Sequence, residues 1–221
     1  MNICAISPTY EASSEDIINL IEKLQVEDLI ILPGVADNTP SIKDVQNVIN
    51  DNCCIFLENG FLKGEAQPLI VSKNDIIKIP RQLFINRPKA AEIDQLIKIF
   101  PARTHLISNQ RVSFVLCGEI NGFNPDGNLK HNRQLPSDRD FYILVNPCHT
   151  IMGHWNYLGK KLANLSNNER IVIYVTNNDK NYLKAISDVR IYTNGNEIRE
   201  FKDRTGNRRI SYINIQIEDR L

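Results

Sequence analysis

Val112-Ser113-Phe114-Val115-Leu116-Cys117-Gly118-Glu119 is an apolar run that ends on a thiol, a glycine and a carboxylate. A continuous apolar stretch of this length predicts a strand buried on both faces. Such a strand carries Cys117 to its C-terminal tip, and in open α/β sheets ligands gather at those tips. Two readings of Cys117 follow. It is a core thiol, as free cysteines commonly are, or it is a nucleophile aimed into a cleft, reacting as the thiolate.

Working outward, the chain alternates buried strands with amphipathic helices. Asn2 to Ile6 is short and apolar and ends at Ser7-Pro8. Ser13 and Ser14 precede Asp16, a capping signature, and Ile17, Leu20, Ile21 and Leu24 follow at helical spacing. Leu29 to Leu32 is a second buried strand, closed by Pro33-Gly34. Pro40-Ser41 opens a helix with Ile42, Val45, Val48 and Ile49 on one face, and Cys53 to Leu57 is a third strand. Pro68 to Ser72 and Ile76 to Ile79 predict an antiparallel pair. Ile93, Leu96, Ile97 and Phe100 mark a third helix. Beyond Cys117, Phe141 to Val145 predicts a strand, Trp155 to Leu165 a helix and Ile171 to Thr176 another strand. Asp188 to Phe201 folds about Thr193-Asn194-Gly195-Asn196, a hairpin signal. Arg208 to Ile217 alternates as a half-buried last strand. The stretch from Gly118 to Asp140 is polar and rich in Asn, Pro and Gly, and predicts a long surface loop beside Cys117.

The 221 residues, without a linker or internal repeat, predict one mixed α/β domain over 1–221 with strands in two sets. Lys plus Arg and Asp plus Glu both total 26, so no net charge draws nucleic acid or an anionic membrane surface. Five cysteines, an odd number with two adjacent, fit reduced cytoplasmic usage better than a disulfide scaffold. The first residues show neither the basic region nor the apolar region of a signal peptide. No apolar stretch reaches the ~18 residues of a membrane helix. His149 and His154 are five apart, on different helix faces, and no Cys-x-x-Cys occurs, so no metal site is expected. No phosphate-binding glycine loop is present, and no cofactor is expected.

The order of these pieces resembles the nitrilase (carbon–nitrogen hydrolase) superfamily over nearly the whole chain. Asp28 to Pro33 is similar to the family strand that ends in Pro-Glu. Ile76-Ile77-Lys78-Ile79 takes the place of the lysine after a hairpin, and Val112 to Glu119 that of the cysteine strand. Phe141 to Pro147 and Trp155 to Asn177 resemble two supporting blocks. The resemblance implies an αββα two-sheet sandwich, a Glu-Lys-Cys triad, no cofactor, a small amide or nitrile substrate and a homodimer paired through a sandwich face. In it Cys117 would be the nucleophile and Lys78 its electrostatic partner. Gly34, however, stands where the catalytic glutamate belongs, and glycine transfers no proton. The Arg-Ala pattern of the later helix is replaced by Lys160-Lys161-Leu162-Ala163.

The remaining candidates divide by role. The Gly118 backbone N–H completes an oxyanion hole, and Glu119 binds a polar end of the substrate or is a turn carboxylate. Glu58, after the third strand, and Asp37, three positions past Gly34, are candidate replacement bases. His149 is a candidate activator of the thiol. Two functions stay open. One is a divergent cysteine-dependent amidase. The other is a catalytically inactive binding or assembly subunit of the same fold.

Overall fold

The computed structural model describes residues 1–9, 11–24, 26, 28–34, 39–59, 66–136, 141–148, 155–166, 170–176, 189–198 and 210–218. Its first sheet has the order β12-β1-β2-β3-β4-β5 and its second β11-β10-β9-β8-β7-β6. In the first, β1 (Asn2–Pro8), β2 (Leu29–Ile31) and β3 (Cys54–Asn59) are parallel. They are flanked by antiparallel β12 (Ile210–Gln216) on one side and by β4 (Gln67–Ser72) and β5 (Ile76–Lys78) on the other. In the second, β7 (Gln110–Phe114), β8 (Ile143–Cys148) and β9 (Ile171–Thr176) are parallel. Antiparallel β6 (Thr104–Ile107), β10 (Val189–Thr193) and β11 (Asn196–Ile198) flank them. The two sheets repeat one plan, three parallel strands inside antiparallel borders.

Strand alternation assigns the faces. Ile3, Ala5, Ile31, Phe56, Val112, Phe114, Ile143, Val145 and Val175 form the core between the sheets. Phe56 and Phe114 stack across it with ring centroids 4.6 Å apart. Cys4, Ile6, Ile30, Ile55, Leu57 and Leu69 face outward under α1 (Ser14–Leu24) and α2 (Ile42–Val48). Val115, Leu144, Cys148, Val172 and Tyr174 face outward under α3 (Ala90–Ile99) and α4 (Trp155–Leu165). The result is an αββα sandwich, as the sequence predicts.

Local signals account for the borders. The Asp16 N–H donates to Ser13 Oγ at 3.0 Å and the Ser13 N–H to Asp16 Oδ2 at 2.9 Å, which closes the predicted capping box of α1. Ser41 caps α2 by accepting from the Asp44 N–H. Asn194 (φ 49°) and Gly195 (φ 77°) make the turn between β10 and β11, where both residues need the left-handed region. The β6–β7 hairpin escaped the sequence reading. Its turn residues Ser108 (φ 45°) and Asn109 (φ 63°) adopt the same conformation without a glycine to announce it.

The stretch after Cys117 departs from the expected surface loop. Cys117–Gly122 forms a 3₁₀ turn, and Ile120, Phe123 and Leu129 are buried against the outer core of the second sheet. Apolar residues scattered among Asn and Gly carry no period, yet they suffice to pack the segment down.

The Phe56–Phe114 stack joins the two sheets through fully buried rings. Phe114→Ala should lower unfolding free energy by about 3–5 kcal/mol. Denaturant melts should show a lower midpoint with an unchanged slope.

Candidate functional site

The C-terminal tips of β1, β2, β3, β7, β8 and β9 converge at one end of the sandwich. Ser7, at the tip of β1, is buried and donates its hydroxyl across the sheets to the Thr176 carbonyl, at the tip of β9. That cross-sheet bond fixes the level of the two parallel sets.

Cys117 lies at this end, half-buried at the start of the 3₁₀ turn. The β7–β8 register pairs Val112 with Ile143, Ser113 with Leu144 and Phe114 with Val145. The Val115 N–H continues it to the Val145 carbonyl at 2.9 Å. Buried Asn146 then donates to the carbonyls of Val115 (2.5 Å) and Cys117 (3.5 Å) and accepts from Cys148 Sγ at 3.4 Å. Cys117 packs against the outer core that holds Cys148. Burial, first, and the Cys117 thiol, second, push the Cys148 thiol well above its ordinary value, and the Glu58 charge adds to it.

Glu58 is buried near the tip of β3. By alternation with Phe56 it faces the second sheet. Ile31 pairs with Phe56, and the Leu32 N–H bonds the Phe56 carbonyl at 2.9 Å. Continuing that register brings Pro33-Gly34 alongside Glu58. Gly34 is buried, and the adjoining strand presents the Glu58 carboxylate beside it.

The turn itself is held by an ion pair that the sequence did not disclose. Arg103 and Glu119 are both fully buried and hydrogen-bonded through Arg103 Nη1 and, at 3.0 Å, Nη2. Glu119 also accepts the N–H groups of Leu83 (2.7 Å) and Leu116 (3.0 Å), while Arg103 donates to the carbonyls of Pro80 (3.2 Å) and Arg81. Burial pushes the Glu119 carboxyl up, against the lowering effect of Arg103 and the two N–H groups. With no exposed surface and these internal contacts, Glu119 anchors the turn.

Gly118 is required for a steric reason. A Cβ there would stand 2.4 Å from the Ile85 carbonyl oxygen, so the Pro80–Ile85 segment passes directly over the turn. Lys161 of α4 caps the turn's far end, donating to the Ile120 carbonyl at 3.0 Å. Burial, helped by the charge of Lys130, pushes its ammonium down to about 8.

Lys78 is exposed on the edge strand β5, and its register partner Leu69 belongs to the outward face of the first sheet. The segment that reaches the cysteine turn begins two residues later, at Pro80. Hairpin order alone did not reveal this, because one residue of strand phase turns a side chain to the other face. Asp37 and His149 lie outside the described residues. No group of three or more His, Cys, Asp or Glu able to hold a metal occurs among the described residues, and no helix among them is long and apolar enough to cross a membrane. A cavity of about 410 Å³ lined by Pro101, His105, Leu106 and Arg111 sits at the start of β7, the far end from Cys117.

Two measurements test this arrangement. Glu119→Gln leaves a buried guanidinium without its counter-charge and should cost about 3–5 kcal/mol of stability. An unchanged denaturant midpoint would contradict the pairing. Lys161 has a folded value near 8 against an ordinary 10.5. Between these limits the unfolded chain holds a proton that the folded chain has released, so stability should rise with pH across that window. Lys161→Met should abolish this rise, read as the difference between the two stability–pH curves.

No protein-family model matches the sequence, and no curated protein matches it. Solved structures do. A CN-hydrolase superfamily protein from Xanthomonas campestris, with an arsenic adduct in its active site, matches at TM-score 0.58 and 12% identity, over 98% of this chain and 91% of that one. An amidase from Nesterenkonia sp. AN1, carrying the product of Michael addition of acrylamide at its active-site cysteine, matches at TM-score 0.61 and 9% identity, over 99% and 93%. A carbon–nitrogen hydrolase from Helicobacter pylori G27 matches at TM-score 0.56 and 11% identity, over 97% and 88%. Six strands in each sheet, the same end-to-end coverage and the αββα layering agree: the chain has the fold of the carbon–nitrogen hydrolase (nitrilase) superfamily.

Proposed function

We propose that this protein is a cysteine-dependent hydrolase of C–N bonds, of amidase type, with Cys117 as nucleophile and Glu58 as the proton-transfer group. The observation that carries this reading is the buried Glu58 carboxylate, set beside Gly34 by the β2–β3 register and acting electrostatically on Cys148, which shares an outer core with Cys117. A buried carboxylate near a thiol at converging strand tips is the kind of arrangement that acid–base catalysis needs.

In this reading Glu58 takes the Cys117 proton and the thiolate attacks the amide carbonyl carbon. The carbonyl π electrons move to oxygen, which the Gly118 N–H stabilises. Collapse breaks the C–N bond, and Glu58 returns its proton to the leaving amine. Water, losing a proton to Glu58, then attacks the thioester; the C–S bond breaks and Cys117 recovers the proton. Lys78 stands outside the scheme because of its outward face. The substrate class is a small amide or nitrile, and a homodimer belongs to the same proposal. Five free cysteines fit a reducing compartment such as the cytoplasm.

The second reading is a non-catalytic binding or assembly subunit, favoured by Gly34. Turnover decides between them. Ammonia release should be measured across amides and nitriles. Cys117→Ala should abolish it, since a methyl group forms no thioester. Glu58→Gln should lower it by about 10²–10⁴ with the thermal midpoint retained. A wild-type protein silent across the panel would leave the binding reading.

A further inference from the structure

Cys117 and Cys148 are brought together by the end of β8 and the turn that follows β7. The β7–β8 register ends at Phe114–Val145, the Val115 N–H still bonds the Val145 carbonyl, and Cys117 then opens the 3₁₀ turn while β8 runs on to Cys148. Both side chains pack in the outer core of the second sheet. Asn146 ties the Cys117 carbonyl to the Cys148 thiol, and the Cys117 thiol acts electrostatically on Cys148. Their exposures differ: Cys117 is half-buried and Cys148 is completely buried.

We propose that Cys117 and Cys148 form a reversible disulfide when the protein meets a hydroperoxide, with Cys117 as the attacking thiol and Cys148 as the resolving one. The Cys117 thiolate attacks one peroxide oxygen. An S–O bond forms, the O–O bond breaks, and the leaving oxygen departs as water or an alcohol with a proton. Sulfur is oxidised by two electrons and the peroxide reduced by two. Cys148 sulfur then attacks the sulfenic sulfur. The S–S bond forms, the S–O bond breaks, and hydroxide leaves as water with the Cys148 proton. A thiol reductant reverses the product by exchange. The buried partner protects the exposed one, because a sulfenic acid captured as a disulfide is not carried to the irreversible sulfinic state.

The other cysteines provide the internal contrast. Cys4, Cys53 and Cys54 lie in the first sheet and its outer core, and burial pushes Cys53 and Cys54 up to about 12 and Cys4 higher still. None is a register partner of another.

The test is a peptide map under non-reducing conditions after hydrogen peroxide treatment of the whole protein, with dimedone present in a parallel arm. The wild type should yield a Cys117–Cys148 cross-linked peptide, lighter by two hydrogens than the separate peptides and released by dithiothreitol. Cys148→Ala should give no such peptide and should accumulate dimedone-labelled, then sulfinic, Cys117. Cys117→Ser should leave Cys148 unmodified. Wild-type Cys117 that goes to the sulfinic state without a cross-link would overturn the proposal. So would a cross-link to Cys4, Cys53 or Cys54, or no modification under peroxide that oxidises free cysteine. Should Cys148→Ala fail to fold, the wild-type map alone decides. None of these readouts uses amide turnover, so the outcome is separate from that of the hydrolase reading.

Discussion

Two ions sealed away from water, Arg103 and Glu119, dictate the geometry around the cysteine. A buried charge costs several kcal/mol unless it is paired and its remaining hydrogen-bonding sites are filled. This pair meets that demand by enlisting backbone from three places. Carbonyls come from Pro80 and Arg81, and N–H groups from Leu83 and from Leu116, next to Cys117. The segment after β5, the 3₁₀ turn before β6 and the turn after β7 are thereby locked together. The direction in which Cys117 leaves its strand is set by electrostatics several residues away, not by the strand itself.

The layered fold was legible because it rests on periodicity. Continuous runs such as Leu29 to Leu32 and Val112 to Leu116 mark strands covered on both faces, and the Asn194-Gly195 turn marks its hairpin. What the sequence concealed depends on phase or on pairing across distance. Lys78 sits in the expected hairpin but one step off the useful face. The meeting of Cys148 with Cys117 depends on the end of one strand and the turn that follows another. Arg103, sixteen residues from Glu119, reads as an ordinary helix-end cation until both are seen buried. The β6–β7 hairpin lacks a glycine, so its turn had no local signal. Glu58 was found as a candidate, while its position beside Gly34 follows only from the strand register.

The strands that end together also shape what the site can offer. β2 runs out into Pro33-Gly34, which carries no ionisable group, and β3 presents the buried Glu58 carboxylate near its tip. Parallel strands that end together offer equivalent platforms at nearly the same height, so a functional group can shift laterally with little change to the scaffold. The scaffold's demands lie elsewhere: in the aromatic stack between the sheets, in the Ser7–Thr176 bond that aligns them, and in the glycine that lets residue 118 lie against the Ile85 backbone.

The pairing of β1 with β12 has a consequence for synthesis. Asn2 stands opposite Gln216 and Pro8 opposite Ile210. β1 therefore keeps an unsatisfied edge until the roughly 200 residues that separate it from β12 have left the ribosome. At roughly 5–20 residues per second that wait lasts about 10–40 s. Throughout it, an apolar strand with free N–H and C=O groups is a template for any passing partner. The finished sandwich hides this edge completely, so its hazard belongs to the nascent chain alone.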